Sequence, residues 1–413
     1  MNLLSNKNNS KFIVELKNEI NMGKEWKSPK IIIGKEATGD WYYKREDLEN
    51  EIWEEIKKGN NILLTAPRRV GKTSVMKSLS KQSNDNYKCV FRIIQGIDEK
   101  SDFYEMLYEL ILSCLLASKR YKTQIINYFK KMGITEITIK GIKLERRDID
   151  YLAEIKQLIP QLDSEGENII LLIDELPEVL YNLYKKEKNE DATNILNNLR
   201  DWRQQKGFEK IQFILAGSIG IHYVVNLIDK RSKNINDLKE IHCPPLDETR
   251  GEFEKYMDWI TSDATIRYNK NLIAYLKTKI GYFAPYFINL LVDKVDIRCR
   301  KNNQCKITEK DIDIAFSEVI KDRTCFDDWK RRLRDYMPQE DFEFVNEILI
   351  HAAHKDEISI QKIYDIALKH NKKDTYMSLV TNLERDGYIV KQNDKYIFIS
   401  PFLKEFWKND KPI

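Results

Sequence analysis

Two short stretches of this sequence carry residue types suited to binding and cleaving a phosphoanhydride. Residues 63–76 read LLTAPRRVGKTSVM, and residues 171–177 read LLIDELP. The first contains Gly71-Lys72-Thr73, the closing part of the phosphate-loop pattern G-x-x-x-x-G-K-[ST], but Ala66 stands where that pattern opens on glycine. In such a loop a strand exits into backbone N–H groups that curl around phosphate oxygens. The next helix aims its positive N-terminal end at the same anion. The expected nucleotide-binding set is Ala66, Pro67, Arg68, Arg69, Val70, Gly71, Lys72, Thr73 and Ser74. Lys72 is expected to reach the β- and γ-phosphates, and the Thr73 hydroxyl to complete the shell of a Mg²⁺ ion. Gly71 keeps a Cβ out of the way of the phosphates. The alanine is compatible with this reading. Pro67 pushes the residue before it toward extended backbone with negative φ, where alanine carries no steric penalty.

LLIDELP supplies the acidic partner. A buried apolar strand ending in Asp174-Glu175 places both carboxylates at the C-terminal edge of a sheet, where ligands gather in open α/β folds. Asp174 is expected to hold Mg²⁺ through water, and Glu175 to polarise the attacking water as general base. In FILAGS, Ser218 ends another strand and is expected to hydrogen-bond the γ-phosphate or that water; the alternative is a plain strand-to-loop turn. ATP and Mg²⁺ are the expected ligands. The guanine-reading N/TKxD motif is not apparent, which favours ATP over GTP. Arg68 and Arg69 either add positive charge at the phosphates or pair with acids on the helical unit over 247–325, and the sequence does not choose.

The elements that must position these groups follow from hydrophobic patterning. WYYKREDLENEIWEEIKKG (41–59) has Leu48, Ile52 and Ile56 at helical spacing and ends at Gly59. NILLTA, CVFRII, NIILLID, QFILAGS and EIHCPPL read as strands, and ITEITIKGIKLE (134–145) as a small hairpin insertion. Continuous apolar strands alternating with helices predict a parallel, three-layer α/β domain. The expected organisation is a lead-in over 1–40, a nucleotide-binding core over 41–246, a helical unit over 247–325 and a further domain over 326–413.

Bulk properties narrow the classes. With 413 residues, two or three domains are expected; 42% apolar and 32% charged residues suit a soluble surface around real cores. A net charge of +4 gives no global argument for nucleic acid, so any basic surface is local. The six cysteines are scattered without a CxxC pair, which speaks for reduced thiols rather than zinc. No run approaches the roughly 20 apolar residues needed to span a bilayer, and no signal peptide is visible. A cytoplasmic protein without membrane contact is expected.

In the last segment, SIQKIYDIALKH and KKDTYMSLVTNLERDG read as paired helices, and YIVKQNDKYIFIS as a hairpin about Asn393-Asp394. Such a helix-turn-helix with a wing can enter a major groove. Lys372, Lys373 and Asn382 on the helices, with Lys391 and Lys395 near the wing, are the candidate DNA contacts. The outward set is only mildly basic, so protein contact is the competing reading.

YYKRED, APRRVGKTSVM, LLIDELP, FILAGSIG, the HCPPL turn, GYFAPYF and the C-terminal GYIVKQNDKYIFISPFLKEFW together resemble the STAND group of P-loop ATPases, in particular the archaeal-type ATPase family and its bacterial relatives. The resemblance implies an AAA+-like (ASCE-like) core with the sensor strand between the phosphate-loop and Asp-Glu strands, a helical lid and a C-terminal winged helix. It also implies that Pro285 contacts the base or ribose and that Arg45 borders the base pocket. A transition-state arginine acting on a neighbouring subunit is expected in NNLRDWRQQ, with Arg203 first, then Arg200, and Arg231 as a further option. Asp201 beside them leaves ordinary salt bridges open. The expected function is an ATP-driven, slowly hydrolysing switch working through a homo-oligomer or an effector protein, in signalling or antiviral defence. The alternative is a DNA-binding regulator or DNA-loading ATPase.

Overall fold

The computed structural model of the chain describes residues 25–118, 121–131, 149–161, 166–217, 220–229 and 233–411. The expected 134–145 hairpin, Ser218 and Arg231 lie outside the described residues.

The core runs α1 (Glu46–Lys57), β1 (Ile62–Thr65), α2 (Lys72–Ser80), β2 (Tyr87–Ile93), α3 (Lys100–Ala117), α4 (Tyr121–Lys131), α5 (Tyr151–Leu158), β3 (Asn168–Asp174), α6 (Leu176–Lys185), α7 (Asn189–Gln204), β4 (Ile211–Ala216), α8 (Ile221–Asp229) and β5 (Lys239–His242). The strands form one sheet in the order β2-β3-β4-β1-β5, and every pairing is parallel. Successive strand residues point to opposite faces. Ile169 to Ile173 of β3 are all 0% exposed, so both faces of the sheet are covered. That is why these strands read as continuous apolar runs. The strand β4 lies between β1 and β3, so the phosphate loop after β1 and the acidic pair ending β3 flank it.

Four helices follow: α9 (Glu252–Thr261), α10 (Lys270–Ile280), α11 (Pro285–Lys301) and α12 (Glu309–Lys321). The last segment contains α13 (Asp327–Asp335), α14 (Gln339–Lys355), β6 (Ile358–Ser359), α15 (Ile360–Lys369), α16 (Tyr376–Arg385), β7 (Ile389–Gln392), β8 (Lys395–Phe398) and α17 (Pro401–Asp410). Its three strands form an antiparallel sheet in the order β6-β8-β7, with Asn393 at φ 54° in the turn. The short β6 is absent from the sequence reading, because two residues are too few to show a period. Stacked rings join this segment to the helical unit: Phe287 lies 5.6 Å from Phe402 and 5.9 Å from Trp329.

Residues 25–45 cross from the helical unit to the core. Trp26 Nε1 and Ser28 Oγ donate to the Asp296 carboxylate at 3.0 and 2.6 Å, and Asn289 Nδ2 donates to the Ile32 carbonyl at 3.0 Å. Further along, the Ala37 N–H donates to Ser74 Oγ at 3.0 Å, and Glu36 pairs with Lys77.

Candidate functional site

The loop between β1 and α2 turns twice through left-handed backbone, at Arg69 (φ 67°) and at Gly71 (φ 102°). Ala66 has no positive φ, so the missing glycine falls where none is required. Gly71 caps α2, and a Cβ placed on it would meet no atom within 4 Å. Its need for glycine is therefore conformational, and the space beside it is open. Arg69 holds a conformation that non-glycine residues seldom adopt, as residues at functional sites often do.

The acidic pair faces this loop. Thr73 Oγ1 donates to Asp174 Oδ2 at 2.7 Å, and Lys72 Nζ lies 3.7 Å from Asp174 Oδ1. Lys72 is 7% exposed, and its buried ammonium has no hydrogen bond. Asp174 is 1% exposed and accepts the Glu175 N–H at 3.0 Å. Glu175 takes a left-handed turn (φ 70°) into α6 and lines the cavity described next. A hydroxyl and a carboxylate, both hard oxygen donors, beside a buried ammonium that makes no hydrogen bond fit a Mg²⁺–phosphate pair.

These groups line a cavity of about 370 Å³, within the range of small-ligand sites. The cavity runs from Lys72, Thr73, Asp174 and Glu175 to a wall of Trp41, Tyr43, Tyr256, Pro285 and Tyr286. Trp41 is 49% exposed, an unusual state for an indole on a folded core. Pro285 opens α11 at this wall, and the Arg69 guanidinium lies over the adjoining Tyr286 ring, 4.7 Å from its centroid. Arg45 reaches the same wall. It is 7% exposed and donates from Nη1 and Nη2 to the Pro244 and Pro245 carbonyls, each at 3.2 Å, with Glu252 3.6 Å away. It thereby anchors the HCPPL turn. Val70 is buried, and the Ser74 hydroxyl is engaged by the lead-in segment.

Arg68 and Arg69 line the cavity and also meet an acid that lies beyond the 247–325 unit. Both pair with Asp328 of α13, Arg68 closely and Arg69 at 3.6 Å. Burial, then the neighbouring charge of Arg332, pulls the Arg68 guanidinium down to about 9, which leaves it charged at neutral pH. The Arg68 N–H also donates to the Asp386 carbonyl at 3.3 Å. A Cβ on Gly387, itself at φ +81°, would lie 2.7 Å from Pro67 Cβ. The C-terminal segment thus rests directly on the phosphate loop, on its Pro67–Arg68 side.

Arg203 and part of the candidate DNA-contact set are engaged within the chain. The Arg203 side chain is 1% exposed and forms a fork onto Asp237, with Nε and Nη2 both at 2.8 Å, while Nη2 also donates to the Asn234 carbonyl. It braces the core in this arrangement. The proposed DNA-reading set is also broken up. Asn382 is 4% exposed and lines a small cleft with Arg68, Tyr223 and Asp386, so that side of α16 faces the core. Lys372 is half-buried and pairs with Asp341 at 2.6 Å, and Lys395 pairs with Glu357. Lys373 and Lys391 are exposed.

Sequence reading missed Arg332, which lines the nucleotide-sized cavity from α13. Its signal is weak. Trp329 and Leu333 mark the buried face of α13, and Arg332 flanks that face while Arg331 and Arg334 are exposed.

No family model matches the chain, and no curated protein matches its sequence. Solved structures do. The chain is similar to a Walker-type ATPase of Pyrococcus abyssi, with a TM-score of 0.62 at 15% identity over 92% of this chain and 99% of that one. Fainter likenesses, on which nothing further rests, are the ORC2 protein of Aeropyrum pernix (TM-score 0.49, 12% identity, 88% and 92% covered) and the RuvB Holliday junction branch migration motor of Thermotoga maritima (TM-score 0.41, 10% identity, 88% and 94% covered). With its strand order and the placement of its loop and acidic pair, the chain has the fold of a Walker-type P-loop ATPase.

Proposed function

We propose that the protein is an ATP-binding, slowly hydrolysing switch whose nucleotide state sets the placement of its C-terminal segment. The observation that carries this reading is one piece of geometry. Lys72, Thr73, Asp174 and Glu175 meet at one cavity, and the loop bearing two of them is hydrogen-bonded through Arg68 to the C-terminal segment. Lys72 and the loop N–H groups bind the phosphates, and Glu175 takes the proton of the attacking water. Thr73 and Asp174 would hold Mg²⁺, which would neutralise phosphate charge when bound. Pro285, Tyr286 and Trp41 form the base end of the cavity.

The chain divides on this reading into a lead-in, a core to residue 246, a helical lid over 247–325 and a winged helix over 326–413. The order α14-β6-α15-α16-β7-β8 supports the last assignment. A protein partner or a second copy fits it better than DNA. Leu368 and Met377, on α15 and α16, are 49% and 39% exposed, while Lys372 and Asn382 are committed internally. The resemblance to STAND switches carries the further reading of cytoplasmic signalling or defence through an effector. Among the described residues no helix is long and apolar enough to cross a membrane.

ATP turnover of the wild type, Lys72→Ala and Glu175→Gln tests the proposal. Both variants are expected to lose at least about 100-fold in rate, Glu175→Gln with nucleotide affinity retained. Equal phosphate release from all three would overturn it.

A further inference from the structure

We infer that the small cleft between the phosphate loop and the end of α16 binds a monoatomic anion, chloride in size and charge, held by the Arg68 Nε–H and Asn382 Nδ2–H groups. The inference does not depend on the nucleotide reading. Arg68 of the loop, Arg332 and Leu333 of α13, and Asn382 and Asp386 at the end of α16 line this cleft. It measures about 20 Å³, room for one small ion or water and too little for a sulfate or a phosphate.

Two buried donors meet there. Arg68 is 9% exposed and Asn382 4% exposed, and each keeps a side-chain N–H, at Nε and Nδ2, buried without a hydrogen-bond acceptor. The ion pair of Arg68 with Asp328 runs through Nη2, so Nε is left over. The Asn382 amide oxygen lies 3.8 Å from where a Cβ on Gly220 would stand, and Asp386 Oδ1 lies 3.5 Å from the same point. Both oxygens therefore sit against the core at Gly220, and the Asn382 nitrogen is the end of the amide left for the cleft. A buried N–H without an acceptor is costly, and in a native fold such a group marks a bound water or ion.

An anion suits this pair better than a water. Guanidinium and amide nitrogens offer donors only. A water accepting both would still have two protons of its own to place, and Leu333 and Met337, which also line the cleft, take none. The charge agrees. Two guanidinium groups, Arg68 and Arg332, line the cleft against the single carboxyl of Asp386, which burial pushes up to about 7. An ion held there bonds the loop to α16 across the joint where the Arg68 N–H meets the Asp386 carbonyl. It binds only chains in which the C-terminal segment is docked, and so stabilises that arrangement by mass action.

The test uses the full chain with bromide and chloride as probes. Crystals grown in sodium bromide are expected to show an anomalous peak in the cleft, within bonding reach of Arg68 Nε and Asn382 Nδ2. Density there without a bromine signal, a water only, overturns the inference. In solution, thermal unfolding in sodium chloride is compared with that in sodium gluconate at the same ionic strength, since gluconate is too large to enter. With about 100 mM chloride and a dissociation constant on the order of 10 mM, the docked chain is favoured on the order of tenfold and the midpoint rises by about 1–3 °C. Asn382→Asp keeps the shape of the side chain but puts a carboxylate oxygen in place of the donor. It is expected to abolish the difference between the salts, and it subtracts the general effect of exchanging them. Equal wild-type midpoints in the two salts, or an undiminished difference in Asn382→Asp, overturn the inference. The bromide crystal needs no variant to fold.

Discussion

The backbone N–H of Arg68, inside the phosphate loop, donates to the carbonyl oxygen of Asp386, the residue that follows α16. The same loop residue pairs through its side chain with Asp328 and lies against the Trp329 ring, 5.6 Å from its centroid. One loop residue therefore bonds by main chain and side chain to two separate parts of the C-terminal segment. A shift of the loop on nucleotide entry has to move or break these bonds, which gives the proposed switch a mechanical basis.

Gly387 is where that contact is tightest. Alanine there meets Pro67 and a left-handed φ of +81° at once. Gly387→Ala is expected to destabilise the protein by about 1–3 kcal/mol. It should also raise the rate of limited proteolysis between α12 and α17. Unchanged thermal unfolding and unchanged cleavage would show that the contact is slack.

Asp386 gives the contact a pH dependence. Burial, the largest cause, pushes its carboxyl up to about 7, against the opposing charges of Arg332, Lys72, Arg68 and Arg385. A carboxyl with a folded value above its unfolded one binds its proton more tightly when folded. Its contribution is full below about 4 and is lost as pH rises through about 7. The urea midpoint of the wild type is expected to fall between pH 5 and pH 8 by more than that of Asp386→Asn. Identical slopes would refute the assignment.

Arg203→Ala separates bracing from catalysis. Removing the buried fork leaves Asp237 without its partner and is expected to cost about 3 kcal/mol of stability. Turnover per folded molecule should match the wild type. A loss of turnover without a loss of stability would restore Arg203 to the chemistry.

Much of this molecule was legible because its chemistry is local in sequence. The phosphate loop and the strand bearing Asp174 are contiguous stretches, and NIILLID matches β3 residue for residue. Pro67 even accounted for Ala66, and the structure moves the left-handed turns to Arg69 and Gly71. What the sequence hid are residues whose role depends on segments far apart in the chain. DDWKRRLRD reads as a solvated basic helix, and only the docking of α13 brings Arg332 to the cavity. Asn382 fails for a related reason. Helical spacing marks Leu379, Val380 and Leu383 as one buried face, but α16 is covered on a second side by the core. Periodicity reports one partner surface, and a helix between two partners shows only the more apolar.

The lead-in segment has a mechanical consequence. It is pinned at Ser28 to Asp296 of α11, and again at Ala37 to Ser74 of α2. Asn289 of α11 also holds the Ile32 carbonyl, so the free stretch up to Ala37 spans at most about 18 Å when fully drawn out. It is a leash with a hard stop. While both pins hold, the four-helix unit can swing from the core only as far as the slack in those residues allows, so the opening of the cavity has a limit set by chain length.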